Sequence, residues 1–300
     1  MLTAPAILHG DRERLLGFDQ TEHPVACQLG GSNPTEMAEA ASIVADYGYD
    51  EINLNIGCPS ERVQKGAFGA CLMAEPKLVA QCFEAIRNTT QLPTTIKTRI
   101  GIDRNDSYEF LSRFVQQLMQ AGCDTFIVHA RIAWLKGLSP KENRSVPPLN
   151  YERVYQLKSE HPQLKIILNG GLDTLEKLNS PLETLDGVMV GRACYHTPYV
   201  FSAVDQQLFN EQEAALSRDD VLERYLDYCE RYLNANKHRS NQVKALSLPL
   251  YGLYKGCPGG KRFRRYLSEH IRHNTTDLNI IRQARKSMEY REASSSTMDI

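Results

Sequence analysis

The chain has 300 residues, 42% of them apolar and 24% charged, enough for one barrel-sized domain and a smaller one built on hydrophobic cores. Its 35 Lys and Arg against 36 Asp and Glu leave a formal charge of −1, which excludes a generically cationic nucleic-acid binder, so any such contact must come from local clusters. No apolar run approaches the ~18 residues of a spanning helix, the start lacks the layout of a signal peptide, and none of the eight cysteines forms a Cys-x-x-Cys pair. A cytoplasmic protein with reduced thiols, no membrane contact and no metal is expected.

In chain order, residues 1–10 offer part of one strand. PVACQLGG (24–31) is a clear strand, followed by an amphipathic helix over 34–47 and the strand EINLNIG (51–57). A helix over 76–88 leads to TTIKTRIG (94–101), one over 107–121 to TFIVHAR (125–131), and one over 151–159 to KIILNGG (165–171) and GVMVGR (187–192). This βα alternation predicts an α/β fold with a parallel sheet of the TIM-barrel type, although six clear strands and a fragment fall short of the eight that closure needs. Polar residues gather where the strands end, which in such a barrel is the active-site face: Gln28, Asn55 with Cys58, Lys97 with Arg99, His129 with Arg131, Asn169, and Gly191 with Arg192. After about residue 205 only helical patterns remain, at 218–236, 241–254, 261–273 and 278–290. The expected organisation is a barrel domain over 1–208, a helical domain over 215–292 and a disordered tail over 293–300.

Cys58 follows a strand end between Gly57 and Pro59, so its thiol is placed at the barrel mouth; a buried, inert cysteine is the competing reading, and Cys71, in ACLM, reads as core. Lys97 and His129 put a cation and an imidazole on neighbouring strand ends, suited to the edge of a flavin where charge accumulates on reduction, or else to purely structural work. The glycine turns LNGG (168–171) and VGR (190–192) on the last two strands suit a phosphate, with Arg192 able to hold its oxygens. Two basic stretches remain. RIAWLKGLSPKENR carries Lys136, Lys141 and Arg144, and residues 254–273 carry Lys255, Lys261, Arg262, Arg264, Arg265 and Arg272 interleaved with Tyr254, Phe263 and Tyr266. That mixture suits RNA as well as a solvated helix surface.

Taken together, INLNIGCPSERVQKGAFGACLM, TIKTRIGID, FIVHARIAWLKGLSPKENR, ILNGG and GVMVGR resemble the tRNA-dihydrouridine synthases, and the KENR loop resembles the bacterial branch acting at positions 20 and 20a of the D-loop. The resemblance spans about residues 1–290. It implies an FMN-binding (β/α)8 barrel with a helical tRNA-binding domain, NADPH as reductant, and dihydrouridine as product. It puts the proton donor on Cys58, and the flavin ligands on Gln28, Lys97, His129, Asn169, Gly170, Gly171, Gly191 and Arg192. Asn55 is implied near the uracil, with Lys141 and Arg144 on tRNA, while Lys261, Arg262 and Arg265 extend the grip on its elbow. Family members begin with a strand bearing Ala-Pro-Met; residues 1–10 match the second strand instead, so the first βα unit is expected to be lacking and flavin retention to be weak. A monomer is expected. The alternatives are an FMN barrel acting on a free pyrimidine, against which the basic helical tail and the KENR loop stand, and a tRNA-binding remnant without catalysis, which bound flavin and tRNA-dependent NADPH oxidation would separate from the enzyme.

Overall fold

A computed structural model describes residues 1–236, 242–271 and 277–289; Arg272 and the expected tail lie outside them. Packing divides the chain into two units, residues 1–172 with 177–190, and residues 173–176 with 191–300.

The first unit is built on seven parallel strands in sequential order, β1 (Leu2–Thr3), β2 (Ala26–Gly30), β3 (Glu51–Ile56), β4 (Thr94–Arg99), β5 (Thr125–His129), β6 (Lys165–Asn169) and β7 (Gly187–Met189). Among the described residues no ladder joins β7 to β1, so the sheet is open between these edges. Side chains alternate across each strand. Ile52, Leu54, Ile96, Phe126, Val128, Ile166 and Leu168 are buried apolar positions of this alternation, and the covering helices bury Met37, Val44, Phe83, Ile86, Phe114 and Leu118. Each such side chain contributes about 1.5–3 kcal/mol of burial. The opposite positions are polar on β3 and β4 and at the ends of β5 and β6, with Ile127 and Ile167 between, and Lys97 on β4 reaches across β5 to Asn169 on β6 (3.0 Å), which marks theirs as the concave face.

Helix starts follow local chemistry. Asn33 accepts from the N–H groups of Thr35 and Glu36 ahead of helix Pro34–Asp46, and Ser107 accepts from Phe110 ahead of Tyr108–Gln120. The strand expected within residues 1–10 shrinks to Leu2–Thr3, because Thr3 caps a helix, Ala4–His9, with Pro5 in its first turn.

The second unit gathers helices Arg218–Ala235, Gln242–Ser247, Gly260–His270 and Asn279–Ser287 around Leu222, Leu226, Phe263, Leu267 and Ile281. The short helices Arg192–His196 and Val204–Leu208, expected with the barrel, group with this unit instead. One expectation is corrected. Tyr254 and Phe263 do not support RNA: they are 3% and 0% exposed and pack on each other at 4.8 Å, because helical pitch turns Phe263 and Leu267 to the core.

Candidate active site

The site's framework is a chain of side-chain hydrogen bonds on the concave face of β2, β3 and β4. The strand register places Gln28 opposite Asn53, Asn53 opposite Thr95, and Asn55 opposite Lys97. Asn55 Nδ2 donates to Gln28 Oε1 (2.7 Å), Gln28 Nε2 to Asn53 Oδ1 (2.7 Å), Asn53 Nδ2 to Thr95 Oγ1 (2.8 Å), and the Thr95 hydroxyl to Glu51 Oε1 (2.5 Å). At the other end, Asn55 Oδ1 accepts from the backbone N–H groups of Gly57 (3.1 Å) and Cys58 (2.9 Å). Two obligate donors at one end and the Glu51 carboxylate at the other orient every amide between them. The exposed faces of Gln28 and Asn55 are thereby fixed.

Cys58 sits on the loop leaving β3, half-buried, its Sγ 3.6 Å from Ser60 Oγ. Its carbonyl accepts from Ala70 N–H (3.0 Å), and Gly69, at φ +79°, passes so close that a Cβ there would lie 2.6 Å from that oxygen. Cys71 donates to the Phe68 carbonyl (3.2 Å), and burial pushes its thiol up.

Lys97 has Asn169 Oδ1 as its hydrogen-bond acceptor, and no salt bridge ties it to a carboxylate among the described residues. Burial, and then the charge of Arg99, push its ammonium down to about 8. Arg99 is 3% exposed and donates only to carbonyls, those of Gly57, Ile132 and Asn143; burial brings it down to about 10. A half-buried Lys97 and a buried Arg99 without carboxylate partners make this a place for an anion.

His129 and Asn169 are opposite each other on β5 and β6, and Asn169 Nδ2 donates to Met189 O (2.7 Å). Gly170 and Gly171 follow at φ +112° and +74°, where a Cβ on Gly170 would stand 2.6 Å from the His129 ring and one on Gly171 2.6 Å from Leu149. This turn requires glycine, because the His129 ring and Leu149 approach its backbone too closely for any Cβ. Gly191 and Arg192 follow Val190 into the second unit, where both are exposed and Arg192 opens helix Arg192–His196.

The structure therefore brings together Gln28, Asn55 and Cys58 along one hydrogen-bonded chain, and Lys97, His129, Asn169, Gly170 and Gly171 along the neighbouring strand ends. Lys141 and Arg144 are exposed on the loop after β5, beside the fully buried Asn143. In the second unit Lys261 is exposed and Arg265 lies 3.9 Å from Glu269. Arg262 has structural work: its Nε and Nη2 donate to the carbonyls of Ser287 (3.1 Å) and Met288 (2.7 Å). Asn53, Thr95, Glu51 and Gln64 went unnoticed in the sequence. The period-two spacing of Glu51, Asn53 and Asn55, alternating with apolar residues, was the available signal. Among the described residues no His, Cys, Asp and Glu cluster could hold a metal ion.

Residues 1–289 match the family described as Dihydrouridine synthase (Dus). A tRNA-dihydrouridine(20/20a) synthase of Shewanella oneidensis is 50% identical over 96% of this chain and 85% of its own length. That of a Synechocystis species is 54% identical over 90% of this chain and 79% of its own. One from Vibrio cholerae is 47% identical over 97% and 88%. With a family match over nearly the whole chain and relatives near half identity, this chain belongs to the dihydrouridine synthase family.

Proposed function

We propose that the chain is an oxidoreductase that reduces uridine to 5,6-dihydrouridine at positions 20 and 20a in the D-loop of tRNA, using FMN and NADPH. The observation that carries the site's part in this is the pair of cations without a carboxylate partner, half-buried Lys97 and buried Arg99, beside the loop that carries Cys58. FMN suits that donor set: an anion answers the charge of Lys97, and the Gly170 backbone lets the His129 ring stand where a Cβ would clash with it. Gln28, Lys97, His129, Asn169, Gly170 and Gly171 would hold it; Gly191 and Arg192, also expected from the sequence to hold it, belong to the second unit. When bound and reduced by NADPH, it supplies a hydride to C6 of the uracil ring.

The remaining chemistry belongs to the chain. Hydride addition to a C5=C6 bond conjugated with C4=O leaves an electron pair that must be protonated at C5. The Cys58 Sγ–H bond breaks as the C5–H bond forms, and the thiolate left behind takes a proton from solvent. Asn55 spends its Oδ1 on two backbone N–H groups and one Nδ2 hydrogen on Gln28, leaving the other for a uracil carbonyl. A target base stacked in folded tRNA must be extruded, at a cost of a few kcal/mol. Lys141 and Arg144 on the loop after β5, and Lys261 and Arg265 in a helical domain over 215–292, offset that cost by holding phosphates. Arg262 contributes through Nη1, the rest of its guanidinium being engaged.

The open sheet reads as a (β/α)8-type barrel with one strand position between β7 and β1 unfilled among the described residues. No helix among them is long and apolar enough to cross a membrane. The enzyme is read as a cytoplasmic monomer without a metal. Mapping dihydrouridine in tRNA from a strain deleted for the gene tests the reading. Loss at positions 20 and 20a, restored by expressing the chain, is expected; unchanged modification would contradict it.

A further inference from the structure

The backbone around Cys58 is clamped on both flanks, and both clamps lead to the same distant loop. On one side the Gly57 carbonyl accepts from Arg99 Nε (3.0 Å), while Arg99 Nη1 donates to the carbonyls of Ile132 (3.0 Å) and Asn143 (2.9 Å). On the other, Gln64 Nε2 places one hydrogen on the Pro59 carbonyl (2.8 Å) and the other on that of Leu135 (2.7 Å). Ile132, Leu135 and Asn143 belong to the loop that presents Lys141 and Arg144. That loop is itself stiff. Asn143 is 0% exposed, accepts from Trp134 N–H (2.8 Å) and donates to the carbonyls of Trp134, Leu138 and Ser139, while Asp103 accepts from Leu135 N–H (2.8 Å). A displacement of this loop therefore pulls on the carbonyl before Cys58 and on the one after it.

We propose that Gln64, acting with Arg99, is a positioning residue that couples the 131–144 loop to Cys58, so that RNA held on the loop sets the place of the thiol. The proposal rests on the reading of Cys58 as proton donor to a tRNA uridine. Gln64 is the half to test, because it lies half-buried on a five-residue helix, Glu61–Lys65, with no part in the core. Among the described residues its two hydrogens make the hydrogen-bonded link on that flank, and a carbonyl, which only accepts, cannot replace them.

Three variants separate coupling from simple packing. Gln64→Met keeps the length and removes both donors, Gln64→Glu keeps the shape and sets a carboxylate against two carbonyls, and Gln64→Lys retains donors for both. In the chain alone, alkylation of Cys58 by iodoacetamide is expected to change by about threefold to tenfold in the Met and Glu variants, the worth of one or two ordinary hydrogen bonds, and to stay within about twofold in Lys. In the flavin-loaded enzyme, kcat with tRNA falls by the same factor for Met and Glu, KM for tRNA stays within about twofold, and reduction by NADPH is unchanged. Rates of alkylation and turnover within about twofold of wild type in both Met and Glu variants would overturn the coupling. A wild-type enzyme that makes no dihydrouridine would instead overturn the functional reading, and the alkylation rates would still decide the coupling.

Discussion

The cations of the helical unit and the two beside the Cys58 loop are treated in opposite ways. In the helical unit Arg285 meets Asp219 through two hydrogen bonds of 2.7 Å and Glu289 at 3.0 Å, Arg282 meets Glu223 at 3.1 Å and Glu230 at 3.5 Å, and Arg262 closes a helix end. Arg285 in turn pulls Asp219 down to about 2. In the sheet unit Lys97 and Arg99 are more deeply buried and have no carboxylate, and burial pushes both down. Charge satisfied within the protein is structural; buried charge left unsatisfied costs stability, and is retained where a ligand supplies the counter-charge.

The largest expected effect lies next to the unsatisfied cations. Replacing Cys58→Ala should lower tRNA-dependent turnover by about 10²–10⁴, the usual worth of a positioned general acid, without altering FMN affinity measured by fluorescence quenching. A decrease smaller than about tenfold would break the assignment.

Lys97→Met tests the charge itself. FMN affinity should fall by at least about tenfold, the cost of removing a charge-assisted hydrogen bond. The pH dependence has a definite sign. The free protein's Lys97 loses its proton near pH 8, and an anionic ligand raises that value, so affinity should fall as pH rises above about 8 in wild type and stay level in the variant. Stability of the flavin-free protein should move the other way. Its folded-state value is depressed from 10.5, so the unfolded chain binds more protons between about 8 and 10.5, and stability rises with pH across that window.

In the helical unit, Arg285→Met should lower thermal stability by about 1–2 kcal/mol and leave FMN affinity unchanged, since it opens a half-exposed ion pair and frees the Tyr254 hydroxyl's partner, Asp219. The double variant Lys261→Ala, Arg265→Ala should leave stability nearly intact and reduce the salt slope of tRNA binding by about one for each phosphate the side chains no longer neutralise. An unchanged slope would remove these residues from the interface. The smallest effect is expected for Thr95→Val, which cuts Asn53 off from Glu51. FMN affinity should weaken about threefold, with Thr95→Ser close to wild type.

Much of this was legible in the residues because strand geometry is periodic. Once β3, β4, β5 and β6 are placed, alternation alone puts Asn55, Lys97, His129 and Asn169 on one face at one end. The glycine turn at 170–171 was legible for a similar reason, since few residues tolerate its φ. What escaped is long-range side chain to backbone bonding. Gln64 reaches a carbonyl 71 residues away and Arg99 one 44 away, and a carbonyl carries no residue identity to notice. Composition misleads at Tyr254 and Phe263: the helical pitch that separates Phe263 and Leu267 from Lys261 and Arg265 assigns Phe263 to the core, and Tyr254, on the turn before that helix, packs against it.

In the proposed function, the charge left open around the Cys58 loop serves the reduction of a tRNA base. The direct measurement incubates the purified chain, loaded with FMN, with NADPH and an unmodified tRNA transcript, and follows NADPH oxidation while mapping dihydrouridine by mass spectrometry. Oxidation that depends on tRNA, with dihydrouridine at positions 20 and 20a and none in the Cys58→Ala variant, is the expected result. Flavin-loaded enzyme that oxidises NADPH equally with and without tRNA, leaving both positions as uridine, would contradict it.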